Sequence, residues 1–114
     1  MGTMTLDLEG WRKVGAAGER MPVHNIHLHV SEECHLRLEE AEERLRRNAE
    51  REMFLDINPD ELELAVSPDC GSISDCQLRV YYNPQNERCH FHLVGRAQGG
   101  DLVYSNAVLV EALM

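Results

Sequence analysis

SEECHLRLEEAEERLRRNAEREM, residues 31–53, carries a helical period. Cys34, Leu38, Ala41, Leu45, Ala49 and Met53 recur at spacings of three and four, which puts them on one stripe of an α-helix. Ser31 offers the short side-chain oxygen of an N-cap. Glu32 and Glu33 follow at the positive end of the helix, where carboxylates are favoured. Glu40/Arg44, Glu42/Arg46 and Glu43/Arg47 stand at i,i+4 on the outer face as attractive pairs. The pattern predicts a helix of about 22 residues, roughly 33 Å long. That is long for so small a domain, and a sheet is expected to wrap it.

Strand signals lie on both sides of this helix. Upstream, Pro22 introduces Val23–Val30, with Ile26, Leu28 and Val30 on one face and His27 and His29 on the other. Residues 3–9 alternate weakly through Leu6 and Leu8 and offer a short strand, and Gly15–Gly18 reads as a flexible break. Residues 1–22 are therefore expected to include a loosely ordered N-terminal arm. Downstream, Asn58-Pro59-Asp60-Glu61 reads as a helix start with Asn58 as cap or, as the following alternation favours, as a turn before a strand through Leu62, Leu64 and Val66, and 67–75 as a loop. Gln77–Tyr82, Arg88–Val94 and Leu102–Val110 read as strands, separated by turns at Asn83-Pro84-Gln85-Asn86 and Gly99-Gly100-Asp101. Strands joined by short turns are antiparallel. The expected fold is a single α+β domain over 1–114: one long helix packed on a curled antiparallel sheet of four to five strands, in β-α-β-β-β order with room for one more strand in front. This order resembles that of cystatin-like folds as an element sequence only, with no shared motif, and it implies no function.

The bulk numbers bound the function. The chain has 114 residues, room for one modest core. Twenty acidic residues against eleven basic ones give a net charge of −9. That disfavours direct nucleic-acid binding, which rests on cations neutralising phosphates, and binding to anionic membranes. No apolar run approaches a membrane span and no secretory signal opens the chain, so a cytoplasmic location is expected. Four cysteines, Cys34, Cys70, Cys76 and Cys89, are then expected as reduced thiols. Cys34 falls on the apolar stripe, so burial outweighs activation by the helix dipole. The Cys70/Cys76 spacing is not that of a zinc knuckle.

The histidines are the most informative polar residues. His24, His27, His29 and His35 fall in one window, His90 and His92 in another. The two His-x-His pairs lie on strands, away from the apolar faces. If those strands are neighbours, His27, His29, His90 and His92 form a small rectangle able to converge on a divalent ion such as zinc. A solvated or interface face explains the same pattern. Clustered imidazoles also make a pH-responsive surface. No nucleophile elbow, HExxH, phosphate loop or dinucleotide fingerprint is present.

These features favour a non-catalytic binding or accessory domain, its working surface an exposed sheet face lined by His27, His29, Arg79, Tyr81, His90 and His92. The expected partner is a second copy of the chain or another protein. The competing expectation is a small metalloprotein or metalloenzyme using the two histidine pairs. A third is an acidic inhibitor that mimics nucleic-acid phosphates through Glu39–Glu43 and Asp56–Glu63.

Overall fold

The computed structural model describes residues 4–14, 18–48, 51–57, 61–64, 73–97 and 99–113. Strands β1 (Met4–Val14) and β2 (Glu19–Val30) precede helix α1 (Glu32–Asn48). Strands β3 (Glu52–Asp56), β4 (Leu62–Leu64), β5 (Ile73–Asn83), β6 (Arg88–Ala97), β7 (Leu102–Ser105) and β8 (Val108–Leu109) follow, and a 3₁₀ turn spans Val110–Leu113. All pairings are antiparallel. The spatial order is β3-β5-β6-β7-β1-β2-β4, with β8 also paired to β6.

The expected class holds: one helix and one antiparallel sheet. The strand count and order do not. Among the described residues the sheet has eight strands where four to five were expected, and the extra strand allowed in front of the first is present as β1. Met4–Val14, where a short strand over 3–9 within a loose arm is expected, is one long strand pairing with β2 along most of its length. The described helix runs to Asn48, Ala49 of the expected stripe lies outside the described residues, and Met53 belongs to β3. Met53 satisfies both periods: it continues the helical stripe, and it alternates with Leu55 and Ile57, all three packing against the core. Ser74-Asp75-Cys76 is a bulge in β5 rather than loop, with Asp75 at φ 55°. The Gly15–Ala17 part of the expected break, the 58–60 turn, Val66, Cys70 and most of the 67–75 loop lie outside the described residues.

The helix forms as its sequence directs. Ser31 Oγ accepts the Cys34 amide at 3.1 Å, the N-cap bond. Cys34, Leu38, Ala41 and Leu45 are buried against the sheet. Of the expected surface pairs, Glu43 holds Arg47, whereas Arg46 turns to the ring of Tyr82 instead of Glu42. From the sheet, Ile26, Leu28, Leu78, Val80, Phe91, Leu93 and Val103 complete the core, none more than 1% exposed. Gly10 sits opposite Val23 beside a register shift in β1, and a Cβ there would come within 2.2 Å of the buried Ile26 Cδ1. Gly99 and Gly100 take φ of 102° and 95° in the β6–β7 turn, a region side chains avoid.

One topological fact sets the curvature. β3 and β4 are the two outer strands of the sheet, yet Asp56 and Leu62 are six residues apart in the chain. Seven strands laid flat would separate the outer two by roughly 29 Å, at 4.7–4.9 Å per step. Six residues reach at most about 20–22 Å. The sheet must therefore curl until its edges approach. Arg37 of α1 stands at that seam. It donates to the Asp56 carbonyl at 2.7 Å and to both Glu61 carboxylate oxygens at 3.0 and 3.3 Å. One guanidinium thus ties the end of β3 and the start of β4 to the helix.

Candidate binding face and edge pocket

Because side chains alternate along a strand, everything out of step with the core points away from α1. The registers line these outward residues into rows across the sheet. One row runs Pro22, Trp11, Tyr104, Val94, Gln77, Asp56 from β2 to β3. A second joins His92, Arg79 and Phe54, and a third Leu109, His90, Tyr81 and Glu52.

The second and third rows form a contacting cluster. The Tyr81 ring stacks on His90 at 5.5 Å and meets the His92 ring edge-on at 6.0 Å. The Arg79 guanidinium lies over Tyr81, 4.6 Å from its centroid. Its Nε donates to Glu52 at 2.6 Å and its Nη1 to His92 Nε2 at 3.2 Å. The last bond requires an unprotonated Nε2, hence a neutral ring with its proton on Nδ1. Burial, and then the Arg79 charge, depress the His92 pKa below its ordinary value, with Glu52 opposing. His90 Nδ1 is buried with no hydrogen-bond partner among the described residues.

A pH dependence follows from His92. A depressed pKa means the folded chain prefers the neutral ring. The stability this gives is complete above the unfolded pKa of ~6.5 and is lost as pH falls through that value toward the lower folded one. Acidifying from about pH 7 to 5 is expected to lower the melting temperature more in the wild type than in His92→Gln, which keeps a neutral acceptor. Parallel melting curves of the two across that range would refute this account.

The first row adds residues that sequence reasoning missed. Trp11 and Tyr104 approach at 5.7 Å, with Arg20 over Trp11 and Lys13 over Tyr104, each 5.7 Å from the ring. The signal was available: Trp11 falls out of parity with Leu6 and Leu8, so an extended first strand would place a large aromatic on the polar face.

The two histidine pairs do not form the expected rectangle. His27 and His29 are on β2, His90 and His92 on β6, with β7 and β1 between them. Three strand steps separate the pairs by about 14 Å. His27 Nδ1 meets Asp7 at 2.5 Å and His29 Nδ1 meets Thr5 Oγ1 at 3.0 Å, each across to β1. Among the described residues no group of three or more His, Cys, Asp or Glu is placed to hold a metal ion. The His24 side chain lies outside the described set.

The thiols are unbridged at Cys34, Cys76 and Cys89. Burial first, then a hydrogen bond to Glu61, pushes the Cys34 pKa up to about 12, and burial also raises Cys76 and Cys89. None of the three is an activated nucleophile.

An open pocket of about 720 Å³ lies where the end of α1 meets the β3–β5 edge of the sheet. Leu45, Arg46, Arg51, Arg79, Tyr81, Tyr82 and Pro84 line it. No described helix is long and apolar enough to cross a membrane. The chain matches no protein-family model, no curated protein and no solved structure.

Proposed function

We propose that the chain is a non-catalytic binding domain whose working surface is the outer face of the sheet, and that a second copy of the chain covers it. The observation that carries this is the coverage of the sheet: α1 packs on the inner face only, while the outer one gathers Trp11, Tyr104, Val94, Tyr81, Leu109 and Phe54. Trp, Tyr and Arg are the side chains that dominate interface energetics. Phe54 is 50% exposed, which a monomer gains nothing from.

Size and charge favour a second copy. The radius of gyration is 14.3 Å, against about 13 Å for a compact chain of this length. The broad side measures up to 40 by 33 Å, ample for the ~800 Å² per partner of a standard interface. Lys13, Arg20 and Arg79 share the face with Glu52 and Asp56, so a two-fold partner meets charges of both signs. The helix, with six glutamates between Glu32 and Glu43, stands on the opposite side of the sheet.

Light scattering during gel filtration tests the proposal. At high micromolar concentration the wild type is expected at twice the 13.0 kDa chain mass. Val94→Glu, which plants a charge in the middle of the first row, is expected at 13.0 kDa with an unchanged circular dichroism spectrum. A wild type that stays at the chain mass overturns it.

A further inference from the structure

The edge pocket has a chemistry of its own, which goes beyond the dimer reading and stands without it. Three of its lining side chains are arginines, and no carboxylate lines it among the described residues. In a chain of net charge −9 that concentration of cations runs against the average. Two of the three have no counter-charge among the described residues. Arg46 and Arg51 form no ion pair with any described residue, although Glu42 stands one helical turn before Arg46. Glu42 Oε2 is buried without a hydrogen-bond partner, so the expected Glu42–Arg46 bridge is open on both sides.

The arginines are held in place by contacts that leave donors available. Arg46 lies over the Tyr82 ring at 5.9 Å, and Arg79 over Tyr81 at 4.6 Å. Arg79 commits two of its five N–H groups, to Glu52 and His92. The Arg51 carbonyl accepts the Tyr82 amide at 3.2 Å, which fixes that backbone against β5. Guanidinium forks match phosphate oxygens two at a time, and stacking on an aromatic ring limits the entropy lost when they close. The volume exceeds what inorganic phosphate needs and suits a ligand of nucleotide size.

We infer that the pocket between the end of α1 and the β3–β5 edge binds a small phosphorylated organic molecule carrying two or more negative charges, of the nucleoside-diphosphate kind, through Arg46, Arg51 and Arg79. The chain's net charge of −9 repels long polyanions such as RNA, while a small ligand meets only the local field. The ligand's phosphates meet guanidinium groups that no described carboxylate pairs with, those of Arg46 and Arg51. The body of the ligand lies against Leu45 and Pro84.

Isothermal titration calorimetry of the full chain tests this with two probes, ADP and tripolyphosphate, at low ionic strength. Both are expected to bind at one site per chain, ADP at least as tightly as tripolyphosphate. Arg46→Gln and Arg51→Gln are each expected to weaken both probes tenfold or more. Both side chains are exposed, so the variants should melt with the wild type, which a thermal scan checks. Val94→Glu, the variant expected to split the dimer, keeps all three arginines and should still bind both probes saturably, so the two readings fail separately. No saturable binding of either probe at millimolar concentration overturns the inference. So does binding that both arginine variants leave intact.

Discussion

Arg37→Met is expected to destabilise the chain by about 3 kcal/mol, the lower end of the 3–5 kcal/mol seen when one partner of a buried ion pair is removed. The lower end applies because the Arg37 side chain is 28% exposed while Glu61 is 7% exposed. The loss has two sources. Glu61 is left charged and buried, and the Asp56 carbonyl loses its donor. Both groups sit where the outer strands of the curled sheet approach, so the seam should open before the rest of the sheet. Urea denaturation checks the energy, and hydrogen exchange at residues 52–57 and 61–64 checks the place. Adding Glu61→Gln to the variant should recover part of the loss, because a neutral amide costs less to bury than a carboxylate that has lost its guanidinium. A change below about 1 kcal/mol, the size of an exposed pair, would mean that the bridge does not hold the edges.

Phe91→Ala is expected to cost about 3–5 kcal/mol. Phe91 is fully buried in β6, between Val80 of β5 and Val108 of β8. A domain of this size has one core and a total stability of only about 5–15 kcal/mol. The cavity therefore removes a large share of it. The denaturation midpoint should fall while the slope stays unchanged, since the surface exposed on unfolding hardly alters. A midpoint near that of the wild type would place the core elsewhere.

Much of the fold was legible because its signals are local. Ser31 and the Cys34–Leu45 stripe mark where the helix starts and which face it buries, and the alternations around Leu78–Tyr82 and Cys89–Leu93 mark two strands. The helix end was hidden because Met53 fits both a period of 3.6 and a period of two. β1 was legible only as far as the weak alternation through Leu6 and Leu8, and its further length comes from pairing with β2 and β7. Topology was not legible at all. Nothing near Asp56 or Leu62 says that β3 and β4 go to opposite edges, and nothing near His29 or His90 says that two strands come between them. The candidate face was half legible: parity put Arg79, Tyr81, His90 and His92 on one surface, and register decided that they touch. Arg46 was read as a partner of Glu42 because i,i+4 spacing favours it. The Tyr82 ring that takes it instead comes from a strand more than thirty residues away.

The claim that the outer face is covered by a second copy is reported most directly by Trp11, the chain's single tryptophan, which lies on that face beside Tyr104. Its emission should be recorded across a dilution series from high to low micromolar. Coverage predicts a shift to longer wavelength on dilution, as the indole returns to water, with a midpoint matching the mass transition in light scattering. An emission maximum that stays constant while the mass falls by half would put the interface elsewhere, and a constant maximum with a constant monomer mass would remove the dimer altogether.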